Sequence, residues 1–124
     1  MRSLMMGLIA VTLLPCASAR AQMEKQRECA HIVESNIAAT KKQKPEIFKT
    51  INGYLFEYNS RLDACVIVMQ YKVVVDGKNE IQVLAMNAVT RQAMEGYKNI
   101  FLIPANDTQG VIDSVNFLFD KYSH

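Results

Sequence analysis

Residues 65–75 read Cys-Val-Ile-Val-Met-Gln-Tyr-Lys-Val-Val-Val, without a glycine, a proline or an acidic residue among them. β-Branched and aromatic side chains dominate, and such residues pack well on a pleated, half-buried surface. As a strand the run has two unequal faces, because side chains alternate across a sheet. Cys65, Ile67, Met69, Tyr71, Val73 and Val75 form a face that is apolar but for the tyrosine hydroxyl, while Val66, Val68, Gln70, Lys72 and Val74 turn polar in the middle. The first face is the one on which a helix should lie. Just upstream, residues 54–58 also alternate, with Tyr54, Phe56 and Tyr58 on one side, and the polar stretch 59–63 joins the two runs. A hairpin over 54–75 therefore organises the fold, and most other expectations follow from what must cover it.

Cys65 gives that hairpin a covalent constraint. The first two dozen residues differ in composition from the rest: Met1-Arg2 is a short positive start, 4–14 an apolar run interrupted by Gly7 and Thr12, and 17–21 a small-residue region. This is the pattern of a secretory signal peptide. An apolar run of about eleven residues falls short of the roughly 20 that span a bilayer, which disfavours a membrane anchor. Cleavage fits after Ala19 or after Ala21. The second is taken here, giving a signal peptide over 1–21 and a single domain over 22–124. A lipid-attached Cys16 is disfavoured by Pro15 directly before it, where such signals carry a small residue. With Cys16 removed, Cys29 and Cys65 remain. An even count in an oxidising compartment predicts one disulfide between them. Closing a loop of about 35 residues is worth roughly 4 kcal/mol in the chain-entropy model, an upper figure.

Cleavage also changes the charge. Removal of Arg2 and Arg20 leaves 12 of the 14 basic residues against 12 acidic ones, so the mature chain is neutral. A neutral chain without a basic stripe is not a nucleic-acid binder. The one local basic cluster is Lys41-Lys42-Gln43-Lys44. It is read as a solvated helix end, where cations suit the helix dipole, with a membrane or anionic-partner patch as the alternative.

Around the hairpin, residues 23–40 have helical spacing, with Cys29, Ala30, Val33 and Ile37 on one stripe. Pro45 ends that helix and opens a short one over 45–51. For the turn at Asp76-Gly77-Lys78-Asn79, two registers compete. A two-residue Asp-Gly turn sets Tyr71 opposite Gln82, whereas a four-residue loop sets Tyr71 opposite Leu84 and Met69 opposite Met86. The second is favoured on apolar matching, and it leads into a third strand over 80–89. Thr90-Arg91 is read as a tight turn into a fourth strand over 92–98, a segment that also suits a helix. A buried segment over 100–103 follows. Residues 106–109 signal a helix start, and Val111, Ile112, Val115, Leu118, Phe119 and Tyr122 place an amphipathic helix to about 121. The expected class is α+β: an N-terminal helix, an antiparallel sheet of three to four strands and a C-terminal helix, with both helices on one face.

Recognisable chemistry is sparse. A Cys–His nucleophile or a zinc site would need His31 beside Cys29. Two positions along a helix are about 200° apart, which points them away from each other. Glu57, Asp63, Asp76, Asp107 and Asp113 are explained as strand-end and turn acids, although Glu57 and Asp63 flank one loop and leave a hydrolase using loop carboxylates open. No phosphate-binding, dinucleotide or nucleophile-elbow fingerprint occurs. Nothing calls for a cofactor, and no catalytic residue is assigned. Met69, Met86, Met94 and the tyrosines are read mainly as core, with an apolar-ligand pocket as the alternative.

The loop of the hairpin has the best claim to more than packing. Asn59 suits a side-chain-bonded turn, Arg61 and Asp63 an ion pair, and Leu62 an anchor into the core. The run Tyr58-Asn59-x-Arg61-Leu62-x-x-Cys65 before an apolar strand resembles a group of small uncharacterised bacterial exported proteins, over about a third of the mature chain. That resemblance implies no activity. It implies that Tyr58, Asn59, Arg61 and Cys65 form one unit, and Tyr58, Asn59, Arg61 and Asp63 are accordingly the candidate binding loop. The expected function is a periplasmic or secreted binding or accessory protein, its partner another envelope protein, with no membrane span after cleavage.

Overall fold

The computed structural model describes the backbone of residues 2–94 and 100–123, and the side chains of 19–94 and 100–123. Helix α1 (Arg2–Gln43) is followed by the single turn α2 (Pro45–Phe48) and by strands β1 (Ile51–Asn59), β2 (Ala64–Val75), β3 (Lys78–Asn87) and β4 (Phe101–Pro104); helix α3 (Thr108–Ser123) closes the chain. The four strands form one antiparallel meander in the order β1-β2-β3-β4. This is the expected α+β class, and β2, the apolar run, is central. Helical geometry begins at Arg2, not near 23, and passes through 17–21 without a break.

Both faces of β2 are buried, and this is where the expected layering needs correction. Cys65, Ile67 and Met69 pack with Leu84 and Ala88 under Cys29 and Val33 of α1. On the opposite face, Val66 and Val68 join Ile81, Val83 and Ala85 under Val111, Val115, Leu118 and Tyr122 of α3. The helices therefore lie on opposite faces, not on one. The reason is visible in β3, whose Ile81, Val83 and Ala85 extend the second face of β2 into an apolar surface wide enough to need its own helix. Gln70 and Lys72 soften that face only towards its far end.

The register between β2 and β3 also differs from expectation. Val73 pairs with Glu80, Tyr71 with Gln82 and Met69 with Leu84. This is the two-residue turn, and its cause is local. Asp76 and Gly77 both take positive φ, 51° and 75°, the requirement of the tight turn that matches strand twist and favours Asp-Gly. A shift of two residues leaves every side chain on its own face, so apolar matching could not discriminate between the alternatives. Cys29 and Cys65 form the predicted disulfide, with Cα atoms 5.3 Å apart.

β3 ends at Asn87, two residues before expectation, because the chain turns there. The Asn87 side-chain oxygen accepts the amides of Val89 and Thr90, at 2.9 and 3.2 Å, and its carbonyl accepts the Arg91 amide at 2.8 Å. Of the expected strand over 92–98, Ala93 makes an isolated bridge to Met86 and residues 95–99 lie outside the described residues. The fourth strand is instead the segment Phe101–Pro104, expected to be buried; Phe101 and Ile103 are half-buried and Leu102 and Pro104 exposed. Asp107 caps α3, accepting the Gly110 amide at 2.9 Å.

Candidate functional site

The hairpin loop is a fastening point. β1 and β2 pair through Asn59 and Ala64, and the tip closes with Asp63 at a positive φ of 47°. Asn59 is only 5% exposed. Its side-chain oxygen accepts the Leu62 amide at 2.9 Å, and its side-chain nitrogen donates to the Tyr122 carbonyl at 2.5 Å. Arg61 Nε donates to the same carbonyl at 3.1 Å. The last carbonyls of a helix lack partners within it, so the loop caps α3 with two side chains. The Tyr58 hydroxyl donates to Asp63 Oδ1. That bond, followed by desolvation and by the Asp63 and Glu28 charges, holds the phenol above its ordinary pKa.

Arg61 and Asp63, expected as an ion pair, thus go to different partners. Leu62, expected as a core anchor, is 38% exposed, because the Asx bond to its amide holds its backbone at the tip. Tyr58 and Asp63 face a shallow groove beside the disulfide, shared with Lys25, Glu28 and Thr90. Glu57 points the other way, towards Ser123 Oγ at 3.5 Å at the end of α3. The two loop carboxylates therefore sit on opposite sides of the sheet and share no cleft.

A second site lies between the sheet and the C-terminal part of α1. Between α1, α2 and the strands a half-open cavity of about 170 Å³ remains. Its walls are Ile37, Ile47, Ile51, Ile67, Met69 and Met86, with Tyr71 at one side. Burial pushes the Tyr71 phenol above its ordinary pKa, which marks the surroundings as poor in water. The mouth is polar: Asn36, Thr40 and Gln43 from α1, Lys44 just after it, and Arg91 from the turn after β3. Asn36 holds that turn, donating to the Ala88 carbonyl at 2.6 Å and accepting from Arg91 Nη2 at 2.7 Å. Arg91 itself has a φ of 61°, a left-handed conformation uncommon outside glycine.

The mouth residues Asn36, Thr40 and Arg91 were not singled out by the sequence reading. A signal for them exists. The apolar stripe of α1 runs Cys29, Val33, Ile37 and then continues along the same face as Asn36, Thr40, Gln43 and Lys44. A helix stripe that changes from apolar to polar while still over the sheet implies space between the two.

Among the described residues no helix is long and apolar enough to cross a membrane. Nor does any group of three or more His, Cys, Asp or Glu among them stand where it could hold a metal ion. Comparison with protein-family models, with curated proteins and with solved structures finds no match to this chain.

Proposed function

We propose that this chain is a small exported binding protein, delivered by cleavage of residues 1–21, whose ligand site is the cavity beneath the C-terminal half of α1. The observation that carries this reading is the combination of an apolar floor and a polar mouth. Binding sites are concave, mostly apolar and fitted with a few polar groups that orient the ligand. A cavity on the scale of 150 Å³ lined by aliphatic side chains stays dry and takes a benzene-sized group, so about 170 Å³ here suits a short chain or one ring. The separation of Glu57 from Asp63 weighs against a hydrolase using the loop carboxylates. The loop of Tyr58, Asn59, Arg61 and Asp63 spends Asn59 and Arg61 on α3, which favours a structural unit over a binding surface.

Methionine-methyl NMR tests the site directly. Titration of the chain with 1-octanol should shift the resonances of Met69 and Met86, which line the cavity, and leave Met94, packed against the opposite core, in place. Ala39→Phe, which plugs the mouth, should abolish those shifts. No response at Met69 and Met86, or an equal response at Met94, would remove the cavity as a ligand site.

A further inference from the structure

We infer that the cavity takes anionic amphiphiles, a short aliphatic chain lying over Ile67, Met69 and Met86 and an acidic head group held at the mouth by Arg91, with Lys44 beside it. The inference rests on the binding reading above and adds the sign of the ligand's charge. Its basis is an imbalance of charge in the lining. Two cationic side chains, Lys44 and Arg91, stand at the mouth, and among the described residues no carboxylate lines the cavity with them. A mouth of this kind leaves its positive charge to be answered by what enters.

Arg91 is also set in place before any ligand arrives. Its backbone is fixed by the turn that Asn87 closes, and its guanidinium by one bond to Asn36. A guanidinium carries five donors in a fixed fork that matches a carboxylate or phosphate. One of them is engaged by Asn36, and Arg91 stands in the lining of the cavity. Asn36 bonds both this guanidinium and the Ala88 carbonyl, so helix, turn and cation are linked at the rim. Lys44 enters differently. It follows the last residue of α1, with its amide bonded to the Thr40 carbonyl at 2.8 Å, and it contributes a flexible point charge. Lys41 and Lys42 in the final turn add to the same positive end. The basic cluster that reads in sequence as a solvated helix end thus has one member at the lip of an apolar cavity.

A matched series separates this inference from the reading beneath it. Octanoate, 1-octanol and octylammonium carry the same chain with negative, neutral and positive heads. Titrated below their micellar concentrations against the full chain, with Met69 and Met86 as reporters, octanoate should bind about ten-fold more tightly than octanol, the scale of one charge-assisted hydrogen bond. Octylammonium should bind most weakly. Arg91→Gln should remove most of the preference for octanoate over octanol, measured within that variant, and Lys44→Gln should reduce the preference less. Equal binding of all three would overturn the inference while keeping the apolar site, as would a preference that survives Arg91→Gln. Binding by none of the three would sink both. Circular dichroism of each variant guards against a loss that reflects unfolding.

Discussion

Asn59 decides more than its size suggests. It is the buried polar residue of the hairpin tip, and its amide serves the loop through the Leu62 amide and α3 through the Tyr122 carbonyl. Removing one partner of a buried hydrogen bond costs about 1–3 kcal/mol, because the other is left unsatisfied. Asn59→Ala should therefore destabilise the fold by that amount in urea denaturation. Arg61→Ala should cost less, since Arg61 is exposed and the carbonyl keeps Asn59. Equal effects would mean that the two side chains share the carbonyl differently from the geometry described. The sequence made Asn59 legible as a turn residue, because side-chain-bonded turns are local. Its bond to Tyr122, 63 positions away, was not legible, and neither was the parting of Arg61 from Asp63. Such choices depend on which helix end arrives at the loop.

At the scale of elements, α1 and α3 are held by different means. α3 is attached by packing, with Leu118 wholly buried over β2 and β3. α1 is attached by the Cys29–Cys65 bridge and the small core around it, and its far half lines the cavity. Replacing both cysteines by serine should lower stability by about 2–5 kcal/mol, the usual cost of losing a native disulfide in a small domain, and should also weaken octanol binding, because the helix that roofs the site loses its tether. A loss of stability with binding intact would show that the roof is held without the bridge. The pairing was legible because only two of the three cysteines lie outside the expected signal peptide and an oxidising compartment was expected. The placement of the helices was not read correctly, since the apolar character of the second face of β2 becomes decisive only when Ile81, Val83 and Ala85 are set beside it. The turn at Asp76-Gly77 was legible in its residues, and backbone chemistry rather than apolar matching fixed its register.

For the molecule as a whole, a three-layer arrangement of helix, sheet and helix places the disulfide, the hairpin tip and the cavity within a single small domain. The proposed export fits the bridge, which requires an oxidising compartment. Expression of the full sequence in a bacterium with an oxidising periplasm should yield a periplasmic protein whose intact mass begins at Gln22 and whose two cysteines resist alkylation without reductant. A full-length cytosolic product with free thiols would defeat the export reading. Far less of the cavity than of the fold was legible at this scale. Strands and helices announce themselves by periodicity, whereas a cavity is the place where packing stops, and only the polar continuation of the α1 stripe hints at it.

One contact of α1 lies apart from the cavity. β1 is an outer strand, and the amide of Tyr58 on its open side donates to Gln26 Oε1 at 2.7 Å. Outer strands with unpaired amides are templates on which further chains can add. Gln26 occupies one such position from the stretch of helix just before the disulfide. With the proposed cleavage after Ala21, Gln26 lies a few residues from the new terminus, and trimming by a further turn and a half would free that amide for pairing with another chain. The position of the proposed cleavage thus bears on association as well.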